Sequence, residues 1–152
     1  MLMDVQNLFS DKQSLVGAVG NINGTNAIDL GVAGTIISAG GSPTNDPGRG
    51  DPPEVVAQVT SAVTSGANIA TVQAQLVSAD SADLLTNPTV LEQSAAIGVA
   101  ALVPGYRFRL GSVPPGVNQR YLGIRFVIAG EATTAGAATA GLVIDDQETF
   151  VG

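Results

Sequence analysis

A chain of 152 residues suits one domain, which at that size buries roughly 70% of its extended-chain surface without disulfides or metal. It has no histidine, no cysteine and a single lysine, Lys12. The side chains that most often move protons near neutral pH or ligate zinc are therefore missing, and function is expected to come from surfaces, not from catalysis. Thirteen acidic against six basic residues give a net charge of −7, which repels nucleic acid and anionic lipid, so neither is expected as a direct partner.

Residues 1–20 read as an N-terminal arm and 21–152 as a single β domain. The opening Met-Leu-Met-Asp has no basic stretch, and Asp4 and Asp11 are residues that a secretory signal avoids, so the segment is expected to remain in the mature protein. Leu2, Leu8 and Phe9 are expected to be exposed ahead of the first strand and to serve as contacts. No run of about 18 apolar residues occurs, so no membrane-spanning helix is expected. Residues 40–53, dense in Gly and Pro, read as a long surface loop that carries Arg49 and Asp51.

From Val55 onward, period-two alternation dominates the chain. Val55, Ala57, Val59, Ser61 and Val63 share one face of a strand, and Val72, Ala74 and Leu76 share one face of the next. The turn chemistry of Ser65-Gly66-Ala67-Asn68 predicts that these two runs form a hairpin. Residues 87–103 fit either a helix opened by Asn87-Pro88 or strand and turn, the latter preferred. Tyr106, Phe108 and Leu110 point away from Arg107 and Arg109, and Leu122, Ile124, Phe126 and Ile128 line a second inward face. A last run from Thr139 to Asp145 turns Ala140, Leu142 and Ile144 inward and Thr139, Gly141 and Val143 outward. Short strands separated by Pro104-Gly105, Pro114-Pro115-Gly116 and Gly130-Glu131 predict an all-β, antiparallel sandwich or barrel.

Few residues invite a chemical role. Asp145, Asp146 and Glu148 bring three carboxylates close enough for calcium, but without a Gly-centred ligand loop they read as solvated acids, and no metal or other cofactor is expected. Asp80 and Asp83 have the composition of a glycosidase pair but no tryptophan platform beside them. No glycine-rich stretch runs into Lys-Ser or Lys-Thr, which removes a phosphate loop. A serine nucleophile has only Lys12 as a base, in a polar segment where burial is not expected. Arg49-Gly50-Asp51 spells a tripeptide that integrins read, a three-residue match of the kind chance supplies. Arg107, Arg109, Arg120 and Arg125 lie within one short region and read as solvent-facing strand positions.

Several segments, in order, resemble the capsid cement proteins of tailed double-stranded DNA bacteriophages. They are Met3-Asp4 to Phe9-Ser10-Asp11, Ile28-Asp29-Leu30-Gly31, the Gly48-Arg49-Gly50-Asp51-Pro52 loop, Leu102-Val103-Pro104-Gly105-Tyr106-Arg107-Phe108, Arg120-Tyr121-Leu122 and Thr139-Ala140-Gly141-Leu142-Val143. Gly50-Asp51-Pro52 stands where the family pattern has Gly-Glu-Pro, and Val32 to Asn45 fits that pattern less well. The resemblance implies a jelly roll and a small homo-oligomer, a dimer ahead of a trimer. It also implies a place on the outer surface of the virion, where the oligomer bridges major capsid proteins. An acidic component belongs outside a shell packed with polyanionic DNA. Several weak contacts made by one oligomer add avidity of about 10² to 10⁴. A small carbohydrate-binding sandwich is the competing reading, with Tyr106 or Tyr121 as its sugar platform.

Overall fold

The computed structural model describes residues 4–32 and 45–143. Among them there is no α-helix, only single 3-10 turns at Val5–Asn7 and Val99–Ala101. Nine strands carry the fold: β1 (Leu8–Ser14), β2 (Gly20–Asp29), β3 (Glu54–Ser65), β4 (Thr71–Ala79), β5 (Thr89–Gln93), β6 (Ile97–Gly98), β7 (Arg107–Phe108), β8 (Tyr121–Ala129) and β9 (Thr133–Val143). They form two antiparallel sheets, one in the order β1-β9-β3-β7 and the other β2-β8-β4-β5, with β6 also on β4. Every connection from β1 to β4 and from β6 to β9 crosses between the sheets, so the chain builds both layers together.

The core lies between the layers and follows from alternation. In β8 the residues Leu122, Ile124, Phe126 and Ile128 are fully buried, while Tyr121, Arg125 and Val127 between them are half-buried. Register places Ile124 opposite Leu76 and Phe126 opposite Ala74 on β4. From the other sheet, Val55, Ala57, Val59 and Val63 of β3 and Ala138, Ala140 and Leu142 of β9 close the interior. Aliphatic burial does most of the stabilising, at about 1.5–3 kcal/mol per large side chain. Phe108 meets Phe126 with ring centroids 6.0 Å apart.

The predicted all-β sandwich of antiparallel strands is what the structure shows, with corrections in its parts. The runs at 55–63 and 71–76 are strands but not a hairpin. β3 is flanked by β9 and β7, whereas β4 lies in the opposite sheet between β8 and β5. The turn at 66–69 is thus an arch over one end of the sandwich, and its Asn68 takes φ +57. A hairpin and an arch need similar turn residues, and partner choice is decided across the sandwich. Residues 87–103 resolve as β5, β6 and one 3-10 turn, which agrees with the strand reading. β9 begins at Thr133, and Gly141 and Val143, expected outward, are buried. Ile144 lies outside the described residues.

The N-terminal segment is also corrected. From Leu8 onward it is strand β1 paired with β9, not a projecting arm. Phe9 is 0% exposed and belongs to the core cluster, because a ring of that size stabilises most when removed from water. Gly24 of β2 permits this: a Cβ there would come 2.9 Å from the Phe9 carbonyl oxygen and 2.9 Å from the Ile124 side chain. Side chains stitch the two edges together, with Gln13 Nε2 donating to the Asn23 carbonyl at 2.6 Å and Asn26 Nδ2 to the Leu8 carbonyl at 2.9 Å.

Candidate functional site

The loops sort into two ends of opposite chemistry. At one end lie the β2–β3, β4–β5 and β7–β8 connections, tied by hydrogen bonds from the Leu30 N–H to the Arg120 carbonyl (2.8 Å) and from Gln119 Nε2 to the Asn87 carbonyl (2.6 Å). This end carries Asp29, Asp46, Arg49, Asp51, Asp80, Asp83, Arg109 and Arg120. Arg120 grips Asp29 with two parallel bonds, Nε to Oδ1 at 2.8 Å and Nη2 to Oδ2 at 2.7 Å. That fork, with the Gly31 N–H, holds the Asp29 carboxyl at about 2.

Sequence reading missed Asp46. Its side chain is 2% exposed and accepts from the backbone N–H of Gly48 (3.0 Å), Gly116 (2.7 Å) and Val117 (3.3 Å). Burial pushes this carboxyl up, but the three N–H groups and the Arg49 guanidinium at 3.4 Å outweigh it and hold it below the ordinary aspartate value. The carboxylate therefore clips the 45–53 loop to the Pro114-Pro115-Gly116 turn. Gly48 is required in this clip, since a Cβ would fall 2.0 Å from the Pro114 carbonyl oxygen. Loop composition signalled a flexible surface segment; the partners lie some seventy positions away, beyond any local signal.

The residues expected to make contacts separate. Arg49, 73% exposed at its side chain, and Asp51 are presented on the clipped loop. Leu8 is half-buried over Gly141, and Phe9 is inaccessible, which corrects the expectation that both stand free. Leu2 lies outside the described residues, as do Asp145, Asp146 and Glu148. Among the described residues no three acidic side chains gather as metal ligands. Asp80 and Asp83 are exposed and organise their own loop: Asp80 accepts from Asn87 Nδ2 at 2.9 Å, and Asp83 accepts from Ser81 and from the Leu85 N–H. The Ser81 bond and the Leu85 N–H lower the Asp83 carboxyl, the reverse of what a protonated glycosidase acid needs. The four arginines do not share one face: Arg107 lies in β7 at the edge of one sheet and Arg125 in β8 of the other, while Arg109 and Arg120 bound the β7–β8 connection. Arg125 is held by Gln75 Oε1, at 3.1 and 2.9 Å. Neither tyrosine is a free platform: Tyr106 packs edge-on to Phe108 at 5.6 Å, and Arg120 covers the Tyr121 ring at 5.1 Å.

The opposite end is apolar. It consists of residues 15–20, 66–70, 95–105 and 130–132, joined where the Thr133 N–H donates to the Gly17 carbonyl (3.0 Å) and the Val99 N–H to the Ala70 carbonyl (3.1 Å). Across these four segments the one charged residue is Glu131. Its carboxylate accepts from the Ala67 N–H, 3.0 Å from each oxygen. The Ser65 hydroxyl and then that N–H hold its carboxyl below the usual glutamate value. Outward project Val16 (51% exposed), Val19 (59%), Ile69 (64%) and Val103 (53%). Half of the large exposed apolar side chains among the described residues thus collect on three of these loops.

No curated protein matches the chain. The model of one family does, across residues 9–142, from the first buried aromatic to the last core leucine. By that match the chain belongs to the Bbp16 family, a family of phage type.

Proposed function

We propose that this protein is a structural component of a phage particle, a capsid cement or decoration protein on the outer surface of the shell. It is made in the host cytoplasm and bridges neighbouring major capsid proteins as a small homo-oligomer, a dimer ahead of a trimer. The observation that carries this reading is membership of a phage-type family through nearly the whole folded domain. The strand orders β1-β9-β3-β7 and β2-β8-β4-β5, with their repeated crossings between sheets, support the jelly roll implied by the resemblance. The net charge of −7 suits a position outside packaged DNA.

The mechanism is state-selective clamping. A protein that binds the expanded, DNA-filled lattice better than the precursor shell stabilises the former by the difference in binding free energy, and no bond need be made or broken. Purified protein mixed with the two kinds of shell tests this by co-sedimentation. Binding to expanded shells at concentrations that leave precursor shells bare is expected. Equal binding to both contradicts the clamp, and binding to neither contradicts the cement role itself.

A further inference from the structure

We infer that the apolar end is the face pressed against the shell, and that its partner is an uncharged, apolar surface of the coat subunits; this rests on the cement reading above. Single exposed valines are ordinary on a soluble protein. What is not ordinary is their placement. Val16 and Val19 come from one loop, Ile69 and Val103 from two others, and across these loops no charged side chain stands beside them except Glu131 on the adjoining turn.

The one carboxylate present is already hydrogen-bonded by the neighbouring 65–67 segment. Glu131 directs both oxygens to the Ala67 N–H and is held by Ser65, so part of its hydrogen-bonding capacity is met within the protein before docking. The same bonds fix the 66–69 arch, and the Thr133 hydroxyl fixes the 15–17 turn through the Leu15 carbonyl, so the face is ordered before it binds. Pre-ordering lowers the entropy lost on association.

Area decides between occupants. Four aliphatic side chains of this kind expose a few hundred Å², well short of the roughly 800 Å² per partner that a stand-alone protein pair needs. A second copy pressed on this patch alone would dissociate. An oligomer that places the patch on several coat subunits at once does not need a strong single contact, because each further contact is intramolecular. A lattice is the occupant whose repetition makes a patch of this size sufficient.

The test uses Ile69→Asp, Val103→Asp and the double variant, with Leu85→Asp as a matched control. Leu85 is 70% exposed at the charged end. Probes are expanded shells of the parent phage prepared without this protein, read by co-sedimentation, with sedimentation velocity on each free variant. All side chains changed are more than half exposed, so circular dichroism and melting should match the unaltered protein. The expected result is a loss of shell affinity of about a hundred-fold for the double variant, from burying unpaired charge at each repeated contact, with Leu85→Asp unchanged. If the unaltered protein binds and the double variant binds as well, this face is not the contact, while the cement reading stands. If the double variant loses self-association as well as shell binding, the face belongs to a second copy and the inference is overturned. Failure of the unaltered protein to bind defeats the cement reading instead.

Discussion

Asp46 shows how a charge-poor protein places one carboxylate where it counts. Three backbone N–H groups on two loops converge on it, so Asp46→Ala leaves the part-buried Gly48 and Val117 donors without this partner and should destabilise the fold by about 1–3 kcal/mol in a urea titration. Gly48→Ala should also destabilise, because its Cβ meets Pro114 backbone, which has no easy retreat. The pH dependence has a definite sign. Asp29, Asp46, Asp83 and Glu131 all have folded values below their ordinary ones, so the folded state binds fewer protons than the unfolded chain. Their contribution is complete above the unfolded values of 3.8 and 4.5 and is lost as pH falls through the folded ones, that of Asp29 lying at about 2. Melting temperature should therefore be flat from about pH 7 to 5 and drop below about pH 4. A melting temperature that rises on acidification through that range would contradict these assignments. The long-range bonds were not legible in the sequence, since partners at 120, 67 or 116 leave no mark at 29, 131 or 46; the Asx-type bonds from Gly31, Gly48 and Leu85 are local and escaped the reading for want of a turn assignment there.

At the scale of elements, the inward faces were legible and the pairings were not. The alternation of Leu122, Ile124, Phe126 and Ile128 is a local property and appears in the structure as read. Whether β3 pairs with β4 is decided by which strands fill its two edges, and β9, almost eighty positions on, fills one of them. The N-terminal segment misleads for a similar reason. Leu8-Phe9-Ser10-Asp11-Lys12-Gln13 lacks clean alternation because its register with β9 shifts twice and Lys12 takes φ +45, so an edge strand reads as an arm. Phe9→Ala empties a fully buried aromatic site and should cost about 3–5 kcal/mol of stability by chemical denaturation. Removing residues 1–13 deletes most of β1 and should yield aggregated or unfolded protein; a soluble truncated chain with a cooperative melt would contradict the pairing of β1 with β9.

The described residues form a two-ended sandwich: one end charged and clipped by carboxylates, the other with Glu131 as the charged residue of its loops, with core and edges holding the two apart. The proposal that surfaces are the working parts rests on composition, in which reactive side chains are scarce. It gave no hint that the sparse charges gather at one end, which depends on how the strand crossings deal out the loops. The resemblance to phage cement proteins and the family match agree on a phage-type protein, and the proposed cement role assigns the apolar end to a lattice. The most direct test is a cryo-EM map of the parent particle at a resolution that traces strands. The account predicts density for this chain outside the shell, above junctions between coat subunits, with the loops at 15–20, 66–70, 95–105 and 130–132 facing inward. Mature particles whose outer surface carries no such density would contradict it.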